Sequence, residues 1–220
     1  MGFWDSVGSF VSSVGSAISS AVSSIGSALV SSASKMLSVV GKELPTVAIV
    51  IQIVAALVGV LTKEDDIEEI GAKAMQPESK KPEEFDSNAE YIDYLREEVK
   101  LDKEKFDKAS DTEKAARTAV GATIVAKGIE EKKGFDIPLE TWVSIAKLNL
   151  TDKAQEVDKL LETFKDGKLE DFSKYVDGKL DIKKENAIGN SLVDMYRELE
   201  PEMSIEEIED RVMKMDVGAK

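Results

Sequence analysis

Cysteine and histidine are both missing from the 220 residues. Without cysteine there is no disulfide and no thiolate metal site. Without histidine every mechanism that needs an imidazole is excluded, the Ser-His-Asp and Cys-His nucleophiles among them. Aromatic residues are scarce at 6%, which argues against a large aromatic core and for helices packed through Ala, Val, Ile and Leu. Charge is also missing where the chain begins. Residues 1–62 carry only Asp5, Lys35, Lys42 and Glu43, which cancel, so the whole net charge of −14 lies in 63–220. A neutral arm is thus joined to an acidic body. Such a body repels DNA, RNA and anionic lipid, and nucleic acid is not expected as a partner.

Serine fills the arm. Fourteen serines fall within the first 38 residues, set between apolar residues that recur in steps of four and three: Val7, Val11, Val14, Ile18, Ala21, Ile25 and Ala28, with Val22 and Leu29 beside them. That spacing is a helical seam, and it predicts one long helix over 3–41. Serine and glycine have low helix propensity, so the segment needs a partner surface to fold. Ser12-Ser-Val-Gly-Ser-Ala-Ile repeats at a spacing of 11 as Ser23-Ser-Ile-Gly-Ser-Ala-Leu, a period suited to a straight helix. Gly15 and Gly26 hold equivalent places in this repeat and are candidates for close helix contact. The opening Gly-Phe-Trp-Asp-Ser-Val-Gly-Ser-Phe resembles short amphipathic membrane-disrupting peptides, although it lacks their lysines. Its aromatics Phe3, Trp4 and Phe10 either anchor in a bilayer interface or plug a neighbouring subunit.

Gly41 and Pro45 mark a break. Residues 46–61 that follow contain no charge and span roughly 24 Å as a helix, short of the ~30 Å hydrocarbon core. They read either as a fully buried core helix or as half of a membrane-inserted hairpin, with Ile49, Ile53 and Leu57 on one face. Asp65 or Asp66 caps a helix running to Met75. Pro77 and Pro82, among lysines and glutamates, mark an exposed linker. Ser87-x-x-Glu90, Ser110-x-x-Glu113 and Ser204-x-x-Glu207 have the form of capping boxes. They open a series of helices over 88–108, 111–132, 138–149, 151–165, 168–176, 183–199 and 204–215, with Gly134, Gly167 and Gly178 at helix ends and Trp142 in the core. The fold class expected is all-α, in three parts: a helical hairpin (1–62), an acidic connector with a proline-rich linker (63–86) and an acidic helical body (87–220).

No chemistry stands out. The turns at Asp166-Gly167 and Asp177-Gly178 fail as calcium loops, because Ser173 and Lys184 stand where a bidentate glutamate is needed. Gly121 lies among small apolar residues without the lysine of a phosphate loop, and close helix packing accounts for it. Neighbouring glutamates such as Glu97-Glu98 or Glu206-Glu207 do not face each other on a helix. No catalytic residue, metal ligand or cofactor is expected. The expected function is a non-enzymatic, self-assembling structural subunit of a filament, tube or phage-like particle. Its assembly surface is Phe3, Trp4, Val7, Phe10, Val11, Val14, Gly15, Ile18, Val22, Ile25, Gly26, Leu29, Ile49, Ile53 and Leu57. The alternative is a membrane-inserting pore-former or secreted effector that uses the same residues against lipid. No conventional signal peptide is apparent, and an extracellular or particle-associated location is expected.

Overall fold

A computed structural model describes the backbone of residues 3–218 and the side chains of 11–218. Among the described residues the fold is all helical, with no strand. The helices are α1 (Phe3–Ser20), α2 (Val22–Val40), α3 (Leu44–Val58), α4 (Ile67–Ala74), α5 (Asn88–Glu97), α6 (Lys103–Asp107), α7 (Asp111–Lys133), α8 (Leu139–Lys147), α9 (Ala154–Phe164), α10 (Leu169–Val176), α11 (Ile182–Leu199) and α12 (Ile205–Lys214), with short 3-10 turns at Gly41–Glu43 and Pro82–Glu84. The chain forms two compact units, Met1–Gly134 and Phe135–Lys220. The division expected around residues 63–86 therefore falls inside the first unit.

The reason is α7. It packs against α1, α2, α3, α4 and α5, and every residue from Ala119 to Ala126 is buried. A stretch of helix buried on all sides is core, and here that stretch is the middle of α7. Its small residues let the neighbours come close. Gly121 meets Gly71 of α4 backbone to backbone: a Cβ on Gly121 would lie 1.9 Å from the Ile67 carbonyl oxygen, and one on Gly71 1.8 Å from that of Arg117. The close-packing role expected for Gly121 is thus observed.

The arm is not one straight helix. It breaks at Ala21 and again at Gly26, whose φ of 74° and ψ of 159° are non-helical, a conformation that is essentially glycine's alone. α1 packs on both α2 and α7. The repeat partner, Gly15, stays helical with open space around it. At Gly26, unlike Gly15, the Glu83 carboxylate lies where a side chain would stand, 2.6 Å from an added Cβ. The buried apolar positions are Val14, Ile18, Ala21, Ile25, Leu29, Ala33, Met36, Leu37 and Val40, so much of the described seam is covered within the chain, whereas Ala28 and Val22 are exposed.

Residues 63–86 are not a free connector. The Asp66 side chain caps α4 by accepting from Glu69 N, and Ile67, Ile70, Ala72 and Ala74 are buried. The stretch that follows is tied down where Ser79 Oγ donates to Lys73 O at 2.6 Å and Lys80 N to the Tyr94 hydroxyl at 3.1 Å. The helix expected over 88–108 stops at Glu97, because Asp102 caps a separate short helix by accepting from Lys105 N. Ser110 and Ser204 form complete capping boxes. Ser87 is an N-cap, but Glu90 reaches back to Asp86 N instead.

In the second unit Trp142, Leu161, Phe164, Phe172, Val176, Leu192 and Tyr196 are buried, and the rings of Phe164 and Phe172 stack at 5.2 Å. Trp142 is core, as expected. Asp166-Gly167 and Asp177-Gly178 join successive helices.

Candidate contact surface

α3 has fifteen residues and no charge. Its inner face, Val47, Val50, Ile51, Val54 and Ala55, is buried. Its outer face is not. Ile49 is 49% and Leu57 44% exposed, and Ile53, between them at helical spacing, is half-buried. The expectation of a fully buried core helix over 46–61 thus gives way to a helix buried on one side only, because α7 takes the centre. Gln52, the one amide in the helix, is used within the chain. It donates to Asp65 O at 3.1 Å and accepts from Ile67 N at 3.3 Å, which fixes the entry to α4.

Beside the stripe lies a groove of about 850 Å³. Val11, Leu44, Pro45, Ala48, Ile49 and Ala115 give it apolar walls, and Lys42, Lys114, Asp66, Glu68 and Asp111 add charges of both signs. Glu68 is the perturbed group here. Its Oε1 is buried without a hydrogen bond, 3.9 Å from Arg117 Nη1. Burial, with Asp66 nearby, raises its carboxyl above the ordinary glutamate value, and Arg117 only partly offsets this.

The residues expected to form a contact surface thus separate into groups. Ile49, Ile53 and Leu57 share the outer face of α3, and Val11 joins Ile49 in the groove wall. Val22 is 44% exposed. Val14, Ile18, Ile25 and Leu29 are buried within their own chain. Gly15 is half-buried with no close neighbour, and Gly26 serves a turn. The side chains of Phe3, Trp4, Val7 and Phe10 lie outside the described residues.

A second cluster lies in the second unit, and the sequence reading missed it. Glu156 of α9 is 4% exposed. One of its oxygens accepts from the Tyr196 hydroxyl of α11 and the other from Arg211 Nη2 of α12 at 2.6 Å. Arg211 also donates to Glu200 at 2.7 Å and lies 4.5 Å from the centre of the Tyr196 ring. Burial, then the Glu156 carboxylate, pushes the Tyr196 hydroxyl far above the usual tyrosine range, so it stays a neutral donor. Both Glu156 oxygens are engaged, which suits a clasp joining three helices. A signal was present in the sequence: Glu156 stands four and eight residues before Leu160 and Phe164, on their apolar seam, and Arg211 sits between Ile208 and Met215 on theirs.

Among the described residues no group of three or more acidic side chains is placed to hold a metal ion. Comparison with known proteins finds no matching family model, no matching curated protein and no matching solved structure.

Proposed function

We propose that the protein is a non-enzymatic subunit that assembles with copies of itself through the outer face of α3 and the groove beside it. The observation that carries this reading is the stripe Ile49–Ile53–Leu57, left partly exposed on an uncharged helix whose opposite face is buried. Covering the exposed halves of Ile49 and Leu57 contributes about 1 kcal/mol each, from about 2 kcal/mol for a whole side chain. Association costs about 4–15 kcal/mol in lost freedom. The stripe therefore has to act together with the groove. A ridge that enters a neighbour's groove is a head-to-tail contact, which propagates into a filament unless its rotation closes a ring. Charges of both signs at the groove rim suit a partner carrying the same patch, and the acidic remainder keeps the assembly soluble.

A specific observation favours a second reading, membrane insertion. Val22–Val58 is long and apolar enough to cross a membrane, with 44% of its most apolar window buried. In that reading α2 and α3 leave α7 and enter the bilayer, against the repulsion of an acidic exterior by anionic headgroups. Sedimentation velocity of the full chain without detergent separates the two. Self-assembly gives polymers whose size grows with concentration and which Ile49→Lys/Leu57→Lys disperses without loss of helix by circular dichroism. A wild-type monomer at every concentration overturns the assembly reading, and dye release from liposomes by that monomer supports insertion.

A further inference from the structure

The ridge on α3 and the groove beside it differ in charge. The ridge helix has none, whereas Glu68 of α4 stands in the groove wall. Of its side chain 26% still meets water. Its Oε1 is buried and accepts no hydrogen bond. Arg117 of α7 is the paired cation, but its Nη1 stands 3.9 Å away, beyond hydrogen-bond reach. That Nη1 donates instead to Phe106 O at 3.2 Å, and the guanidinium lies 5.3 Å from the centre of the Phe106 ring. Arg117 is therefore held toward α6 rather than closed on the carboxylate. Lys42, Asp66, Asp111 and Lys114 are the other charged groups lining the groove. Burial first, and then Asp66, disfavour the ionised form of Glu68, while Arg117 and Lys114 favour it. Its charge thus depends on the water that still reaches it.

A neighbour's ridge entering the groove removes that water. Being uncharged, the ridge brings no cation in its place. Desolvation disfavours the charged form of a carboxyl, and an uncompensated buried charge costs far more than a neutral acid. We propose, on the strength of the assembly reading, that closing the groove on a second copy loads one proton onto Glu68, so that assembly strengthens as the pH falls. Burial already holds this carboxyl above its ordinary value of 4.5 in the free chain, and covering it raises it further. The assembled state then binds more protons than the free chain. Its association constant therefore rises with acidity, by up to about tenfold per pH unit for one proton, between the free and the assembled values.

Sedimentation velocity of the full chain between about pH 7.5 and about pH 5.5, above the ordinary carboxylate values, tests this. The expected result is association that tightens about tenfold or more across the range, and a Glu68→Gln protein that assembles at the upper end about as tightly as the wild type does at the lower. Glu206→Gln, on the exposed first turn of α12, removes the same charge elsewhere and should keep the wild-type pH dependence, which separates Glu68 from the general fall in net charge. Should Glu68→Gln lose helix by circular dichroism, dilution calorimetry of the wild type in phosphate and in Tris counts the protons directly, with about one per contact expected. Assembly that ignores pH, that keeps its pH dependence in Glu68→Gln, or that takes up no proton would overturn the proposal and leave assembly standing. A wild type that is monomeric at every pH and concentration would overturn both.

Discussion

Gly121→Ala adds a single carbon at the place where α4 and α7 come closest. That carbon would lie 1.9 Å from Ile67 O, 2.9 Å from Ile67 C and 3.0 Å from Gly71 N. A carbon and a carbonyl oxygen rest at about 3.3 Å, so the helices must part by about 1.4 Å. All three obstructing atoms are backbone, and no side chain can swing aside. A gap of 0.5–1 Å already forfeits about a quarter to a half of the dispersion attraction between facing atoms. α4 buries Ile67 and Ile70, each worth about 2 kcal/mol. Losing half of that and part of the contact at Ala72 and Ala74 costs about 3 kcal/mol. Alanine returns about 1 kcal/mol through better helix propensity. The net loss is about 2 kcal/mol, a large share of the 5–15 kcal/mol of a typical fold. Gly15→Ala is the control. It makes the same change inside a helix with nothing within 4 Å, so only the propensity gain, up to about 1 kcal/mol, is expected. Urea unfolding followed by circular dichroism measures both. A Gly121→Ala protein as stable as the wild type would refute the close-approach argument.

Gly26→Ala forces a side chain into a φ of 74° and places its Cβ 2.6 Å from Glu83 Oε1; a loss of about 1–3 kcal/mol in thermal unfolding is expected, and an unchanged melting temperature would show that the turn relaxes into a continuous helix. Arg211→Ala strands the buried Glu156 carboxylate and should cost about 3 kcal/mol, whereas Glu200→Ala leaves Arg211 paired with Glu156 and should cost well under half as much; equal melting temperatures would contradict the clasp. Burial works against ionisation of Asp65, but hydrogen bonds from Thr62 and the guanidinium of Arg96 outweigh it and hold the carboxyl below its ordinary value of 3.8. The unfolded chain therefore takes up this proton first, so the contribution is present above about pH 3.8 and is lost as the pH falls through the folded value. Asp65→Asn should lower stability at neutral pH and flatten its decline below that point, read from urea midpoints across the acid range.

Much of the fold could be read from local chemistry. Asp66, Ser87, Ser110 and Ser204 cap their helices because a side-chain oxygen three residues before a free backbone N–H satisfies it, and such a signal needs no knowledge of tertiary contacts. Gly134, Gly167 and Gly178 all take positive φ at helix ends. The failures were tertiary. The 11-residue repeat makes Gly15 and Gly26 look alike, but Gly26 is non-helical and buried with Glu83, 57 residues beyond it, alongside. Charge partition suggested that 63–86 was a connector. Yet α4 carries its acids on one side and presents Ile67, Ile70, Gly71 and Ala74 to α7, a pattern too short to weigh without its partner helix. The candidate surface was half legible: the spacing of Ile49, Ile53 and Leu57 marks one face, but which apolar helix the fold would surround depended on α7. Val14, Ile18, Ile25 and Leu29 read as an assembly seam because the sequence does not say whether a seam is filled by the same chain or by another.

Because the chain has no cysteine, Leu57→Cys labelled with a polarity-sensitive dye reports on the outer face of α3 alone. If that face is where copies meet, its emission shifts to the blue as protein concentration rises in lipid-free buffer, and unlabelled wild-type protein added to the sample deepens the shift. An emission that stays at the water value at every concentration, and moves only when liposomes are added, would contradict assembly through α3.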